Sequence, residues 1–240
     1  MKIVFAGGGT AGHIEPALAV ARLWKKNHPA DEIEFIGTSS GLENVLVPGA
    51  GFKLSHIPKV VVPRKISPKL VKAPFVLMHS YLASRKLLKG SDLLIGFGGY
   101  VSAPAYLAAK SMRIPFVVHE ANAKPGFANR LGAQLTPHCA VAQSVTRGAL
   151  QEALITGIPL RDDVSKALTQ SSGDWKAARI RAKSELGFSP TQPLILAFFG
   201  SQGSVALNKV IAESLPALLA SGSQLLHAVG KLNDLPAMQR

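Results

Sequence analysis

Short apolar runs alternate along this chain with longer stretches of helical spacing. The runs are Ile3–Phe5, Glu34–Ile36, Leu93–Ile95, Phe116–Val118, Cys139–Val141 and Leu154–Ile155. Runs this short, without regular polar alternation, predict strands buried on both faces. Between them, Glu15–Lys26, Pro74–Lys89, Ser102–Ser111 and Gly126–Leu131 carry helical patterns. Strand–helix alternation of this kind predicts an α/β fold with a doubly wound parallel sheet.

The rhythm pauses at Thr156-Gly157-Ile158-Pro159-Leu160 and again at the polar run Gln170–Asp174. A boundary is placed after residue 160, giving a Rossmann-like lobe over 1–160 and the beginning of a second over 161–240. The second unit is expected to hold a helix near Trp175–Leu186, a strand over Leu194–Phe199, a helix from Val205 to Leu219 and a strand over Gln224–Val229. Two parallel strands leave edges and faces uncovered, so this lobe is expected to be incomplete.

Composition narrows the partners. Lysine and arginine number 27 against 14 acids, a net charge of +13. That excess suits an anionic partner: nucleic acid, an acidic membrane surface or a phosphorylated substrate. Aromatics are 6% of residues and are not interleaved with basic ones, so nucleic acid is not the expected partner. The single cysteine, Cys139, can build neither a disulfide framework nor a thiolate metal site, and a reducing, cytoplasmic setting is expected. The apolar run Ile3–Ala6 is too short for a signal peptide, and no stretch has the length of a membrane span. Membrane contact would then be peripheral. The stretch Pro63-Arg64-Lys65-Ile66-Ser67-Pro68-Lys69-Leu70-Val71-Lys72 leads into the apolar Ala73–Met78, then Arg85, Lys86 and Lys89. Basic residues beside apolar ones suit an anionic bilayer, and equally suit a solvated loop before a core-facing helix.

The chemistry centres on Gly7-Gly8-Gly9-Thr10-Ala11-Gly12-His13. Gly7, Gly9 and Gly12 fit G-x-G-x-x-G between a strand and a helix, where backbone can approach a phosphate or sugar and free helix N–H groups point at it. A dinucleotide fold wants an acid at the end of the second strand. Here that strand ends Ile36-Gly37-Thr38-Ser39, with Asp31, Glu32 and Glu34 at its start or inside it, which disfavours NAD. No Gly-Lys-Ser/Thr follows, so the loop is not a P-loop. His13, at the helix start, can serve as a base near neutral pH or simply cap the loop.

Gly8-Gly9-Thr10-Ala11-Gly12-His13-Ile14-Glu15-Pro16-Ala17-Leu18-Ala19 resembles the first loop of the MurG family of peptidoglycan glycosyltransferases, with alanine where the family more often has glycine at 11. Gly96-Phe97-Gly98-Gly99-Tyr100-Val101-Ser102-Ala103-Pro104 resembles the family's second glycine loop, on the acceptor side, and His119-Glu120-Ala121-Asn122 its His-Glu-x-Asn motif. Thr156-Gly157-Ile158-Pro159-Leu160-Arg161 resembles its interdomain segment, with Ile158 for asparagine. Gly200-Ser201-Gln202-Gly203-Ser204 resembles its third glycine loop, with Phe199 for the first glycine.

This resemblance implies a GT-B architecture, a Rossmann-like lobe plus an incomplete second one, with the active site in the cleft between lobes. It implies an inverting transfer of N-acetylglucosamine from UDP-N-acetylglucosamine to lipid I, the undecaprenyl-diphospho-muramoyl-pentapeptide, giving lipid II on the cytoplasmic side of the cell membrane. His13 is then the expected base or acceptor-orienting group. Thr10, Ala11, Gly12, Asn122 and Arg161 are expected donor contacts, Ser201 an anion contact at a helix start, and Tyr100 an acceptor-side contact. No metal or other cofactor is expected. Plainer roles remain open: Asn122 as a turn residue, Arg161 as a solvated linker charge, His119 and Glu120 as a satisfied structural pair. Another UDP-sugar enzyme of this architecture, or a non-catalytic binding protein, is an alternative to the transferase.

Overall fold

The computed structural model describes residues 1–60, 69–200 and 203–230. The chain divides into two compact units, Met1–Val164 and Ser165–Arg240.

The first unit runs β1 (Lys2–Gly7), α1 (Ala11–Asn27), β2 (Glu32–Gly37), α2 (Glu43–Gly49), β3 (Lys53–His56), α3 (Lys69–Leu87), β4 (Leu93–Gly98), α4 (Ser102–Met112), β5 (Phe116–Glu120), α5 (Phe127–Leu135), β6 (Cys139–Val141) and β7 (Leu154–Ile155). Its strands form one parallel sheet in the order β3-β2-β1-β4-β5-β6-β7. Helices cover both faces, which explains the unbroken apolar strands. Along β1, Val4 and Ala6 enter one core with Leu94, Tyr106 and Val118. Ile3 and Phe5 enter the other, with Ile14, Leu18, Phe35 and Phe97. Phe5 stacks on Phe35 at 5.1 Å between ring centroids.

Two elements of this unit were not anticipated. The strand β3, Lys-Leu-Ser-His, lies at the sheet edge, where a half-buried polar sequence is tolerated. The helix α2 is a short segment ending at Pro48-Gly49, below the length at which periodicity shows. A third departure lies further on. Residues 162–171, read as part of the pause between lobes, form the helix α6 (Asp162–Ser171), with Asp162 and Asp163 at its positive end and Val164, Ala167 and Leu168 at helical spacing.

The second unit contains α7 (Trp175–Glu185), β8 (Leu194–Phe198), α8 (Val205–Ala220) and β9 (Gln224–Ala228). The strands β8 and β9 pair in parallel. Asp174 caps α7 by accepting from Ala177 N at 2.9 Å. Buried Asn208 ties α8 to the end of β9, donating to the Val229 carbonyl at 2.8 Å and meeting His227 Nε2 at 2.9 Å.

Candidate functional site

The sheet reverses its winding between β1 and β4. From β1 the chain crosses to β2 on one side, and β4 then lies on β1's other side. Loops leaving the carboxyl ends of two such strands diverge and open a crevice, the usual ligand site of open α/β sheets. The loops here are the first glycine loop, after β1, and Gly98-Gly99-Tyr100, after β4. They pack backbone to backbone. A Cβ on Gly99 would stand 2.3 Å from the Gly8 carbonyl oxygen, and Gly99 has φ +86°. Glycine is required there on both counts.

His13 lies at this seam. Its Nδ1 is 3.2 Å from the Gly8 carbonyl oxygen and 3.2 Å from Thr10 Oγ1. The opposite edge of the ring faces β4: a Cβ on Gly98 would meet His13 Nε2 at 3.3 Å and Asn129 Nδ2 at 3.2 Å. A carbonyl only accepts, so the Gly8 contact is a hydrogen bond when Nδ1 carries the proton, and Nε2 then presents a lone pair. Ala11 opens α1, and Arg113 is the one non-glycine with positive φ among the described residues, so alanine at 11 carries no backbone strain. His13 N and Ile14 N both donate to the Thr10 carbonyl. Ala11 N and Gly12 N therefore remain as the helix's unclaimed donors. Pro16 has no N–H to offer the Gly12 carbonyl.

Beneath the loop lies a residue the sequence reading missed. Glu43, first in α2, is fully buried. Its Oε2 accepts from Gly9 N at 2.9 Å, and its Oε1 accepts from Thr38 N at 2.9 Å and Thr38 Oγ1 at 3.0 Å. Burial pushes this carboxyl's pKa up, but the hydrogen bonds from Gly9 and Thr38 outweigh it and hold it below the ordinary glutamate value. A ribose-binding acid would stand at the end of β2 itself. The acid that reaches this place comes from the next helix, and its oxygens are taken up by Gly9 of the glycine loop and by Thr38.

A second buried carboxylate organises the loop after β5. Glu120 accepts from Asn122 N (2.8 Å), Asn122 Nδ2 (2.9 Å), Gly126 N (3.0 Å) and Asn129 Nδ2 (3.0 Å). Asn129 also accepts from the buried Tyr106 hydroxyl at 2.9 Å, joining α4 and α5 to the same network. Glu120 is thus a structural organiser, and Asn122 is exposed with its amide nitrogen held toward that carboxylate. His119 is buried against Phe97, at 5.2 Å between rings, and its Nε2 bonds the Gly157 carbonyl at 3.1 Å. Its Nδ1 is buried without a hydrogen-bond partner. Burial lowers the His119 pKa, opposed in part by the Gly157 carbonyl and the Glu120 charge.

A groove of about 430 Å³ in the first unit joins these parts; Ala11, Gly12, Asn122, Pro159 and Arg161 line it. Arg161 is half-exposed, 3.3 Å from Asp163 and 4.0 Å from Glu15. The structure thus gathers Ala11, Gly12, Asn122 and Arg161 around one depression, while Thr10 and His13 adjoin it in sequence and stand at the seam of the glycine loops instead of in its lining. Tyr100 stands on the other side of the glycine loop, its ring against Gly9 and under the Lys59 ammonium, 4.6 Å from the centroid. Ser201 lies outside the described residues.

Residues 3–141 match the family model for the glycosyltransferase family 28 N-terminal domain. The chain belongs to glycosyltransferase family 28. Among its curated relatives, the UDP-N-acetylglucosamine–N-acetylmuramyl-(pentapeptide) pyrophosphoryl-undecaprenol N-acetylglucosamine transferase of Corynebacterium glutamicum strain R is 47% identical over 99% of this chain and 64% of its own length. The protein of the same name from Thermobifida fusca strain YX is 44% identical over 97% of this chain and 60% of its own. The chain therefore spans under two thirds of these family 28 relatives. In fold it is similar to the crystal structure of Acinetobacter baumannii MurG (TM-score 0.65, 23% identity, 97% of this chain and 68% of that one). It is also similar to Neisseria meningitidis UDP-GlcNAc 2-epimerase bound to UDP-GlcNAc (TM-score 0.57, 14% identity, 97% and 73%). Together with the seven-stranded parallel sheet, these neighbours establish the GT-B type of α/β fold.

Proposed function

We propose that this chain carries the acceptor-side half of a transferase that moves N-acetylglucosamine from UDP-N-acetylglucosamine to lipid I, forming lipid II. The observation that carries the reading is the position of His13 at the seam of the two glycine loops, with its Nδ1 on the Gly8 carbonyl. In that state Nε2 can take the proton of the acceptor sugar hydroxyl as its oxygen bonds to the anomeric carbon. The bond from that carbon to the diphosphate breaks, and UDP leaves with the electron pair. Asn122, the free N–H groups of Ala11 and Gly12, and the Arg161 guanidinium supply hydrogen-bond donors and charge to the sugar nucleotide. Tyr100 and the second glycine loop serve the acceptor. No step in this scheme calls on a metal.

The acceptor is a membrane lipid, and α3 supports peripheral docking. Phe75, Met78 and Leu82 share one helical face and are 69%, 55% and 51% exposed, close to Arg85 and Lys86. No helix among the described residues is long and apolar enough to cross a membrane. Part of the basic stretch before α3, residues 63–68, lies outside the described residues.

The test is transfer of labelled N-acetylglucosamine to lipid I by the wild-type chain and by His13→Ala, with calorimetric titration of UDP-N-acetylglucosamine alongside. Transfer that His13→Ala reduces by about 100-fold or more supports the reading. Titratable binding without any transfer favours a binding protein, and transfer undiminished in His13→Ala removes the base.

A further inference from the structure

Glu43 and His13 hold opposite ends of one peptide group. The N–H of Gly9 and the carbonyl of Gly8 belong to the same planar amide. Glu43 Oε2 takes the N–H at 2.9 Å, and His13 Nδ1 lies 3.2 Å from the carbonyl oxygen. We propose that Glu43, the Gly8–Gly9 peptide and His13 form a relay in which the buried carboxylate sets the imidazole tautomer through the intervening amide, making Glu43 a positioning residue for the base. The proposal rests on the reading of His13 as the base only for its catalytic consequence; the tautomer itself is a property of the protein alone.

In hydrolases with a carboxylate–histidine pair, the carboxylate accepts from Nδ1–H directly and so leaves Nε2 free to take a proton. Here no carboxylate is bonded to His13 among the described residues. A charged acceptor on an amide N–H pulls electron density toward the carbonyl, and hydrogen bonds in such a chain strengthen one another. The Gly8 carbonyl thereby becomes a better acceptor for Nδ1–H. The competing arrangement is also built in. Thr10 Oγ1, at 3.2 Å, can donate to an unprotonated Nδ1, which would put the ring proton on Nε2 and disable the base. Glu43 decides between the two.

The carboxylate is well placed for this. It is fully buried, its second oxygen is fixed by two donors of Thr38, and Gly37 and Gly41 leave the room it occupies. A Cβ on Gly41 would fall 1.9 Å from Glu43 Oε2 and one on Gly37 2.6 Å from its Cγ. The Gly8 carbonyl also packs close to the Gly99 backbone, where even a Cβ would fall 2.3 Å from its oxygen, so the second loop backs the peptide that His13 meets.

The experiment reads the tautomer. Imidazole ¹⁵N shifts of the full chain, at a pH of about 9 where a histidine ring is neutral, give the Nδ1–H to Nε2–H ratio for His13. Wild type is expected to carry the proton mainly on Nδ1. Glu43→Gln, whose amide cannot satisfy Gly9 N and both Thr38 donors together, should lower that ratio about five-fold, the worth of one ordinary hydrogen bond. Glu43→Asp, which keeps the charge but withdraws it, should fall between. A wild-type ring with its proton mainly on Nε2 overturns the relay, and so does an unchanged ratio in a folded Glu43→Gln. Should that variant not fold, wild type and Glu43→Asp decide by the same criteria. If transfer proves independent of His13, the catalytic reading fails while these ratios still test the relay.

Discussion

Glu120 accepts from both the backbone N–H and the side-chain amide of Asn122, at 2.8 and 2.9 Å. One buried oxygen thereby fixes the residue that faces the groove, while its twin holds Gly126 and Asn129. Replacing Glu120 with alanine removes an acceptor of the buried Asn129 amide and the carboxylate that shapes the exposed 122–126 turn, and a loss of stability of about 3 kcal/mol is expected. Glu120→Gln keeps the shape but sets an amide donor against donors, at a cost of about 1–3 kcal/mol. Urea denaturation measures both. The two midpoints should fall in that order with the slope unchanged.

The contact between the glycine loops gives a second test, with its own control. Gly99→Ala adds a Cβ 2.3 Å from the Gly8 oxygen at φ +86°, whereas Gly90→Ala adds one at φ +76° with open space around it. Gly90→Ala should cost about 1–2 kcal/mol, the strain of a left-handed alanine alone. Gly99→Ala should cost clearly more, because the two loops must part at the Gly8 carbonyl to admit the Cβ. Equal thermal shifts for the two would mean that the seam yields freely.

What the sequence disclosed divides along physical lines. The strands β1, β4 and β5 were legible because helices cover them on both faces, and that burial is written into adjacent residues. The edge strand β3 carries no such mark. In α6 nearly every residue is exposed, so its weak stripe of Val164, Ala167 and Leu168 was outweighed by the polar residues around it. The glycine loops were legible because close backbone approach demands glycine locally. Glu43 was not, since a buried carboxylate bonded to a loop 34 residues away leaves no local pattern. Asn129 escaped for the same reason: its partners are Tyr106, His119 and Glu120 on two other elements.

Stability should also depend on pH through His119. Its pKa is lowered in the folded chain by burial, so near neutrality it is neutral in both folded and unfolded states and imposes no cost. As pH falls below the unfolded histidine value of about 6.5, the unfolded chain takes up a proton that the folded chain resists. Stability should decline from there toward the lower folded value and then level off. Chemical denaturation between about pH 5 and 8 checks this. In His119→Gln, which can still donate to the Gly157 carbonyl, the slope over that window should be shallower than in wild type.

Arg161 separates binding from folding. Its guanidinium is half-exposed, and its contacts with Asp163 at 3.3 Å and Glu15 at 4.0 Å are surface pairs of the kind that add little stability. Arg161→Ala should therefore shift the unfolding midpoint by no more than the equivalent of about 0.5 kcal/mol. If the groove receives a diphosphate, the same change removes its strongest cation, and calorimetry should show UDP binding weakened about ten-fold or more. Raising the salt concentration should weaken wild-type binding and leave the variant's residual binding less affected, because the screened interaction is already gone. Arg161→Lys should recover only part of the affinity, since a point charge does not reproduce two-pronged contact with a diphosphate. An Arg161→Ala chain that binds UDP as tightly as wild type would instead make this arginine a solvated charge on the segment after β7, and would leave the groove's recognition to Asn122 and the open N–H groups of α1.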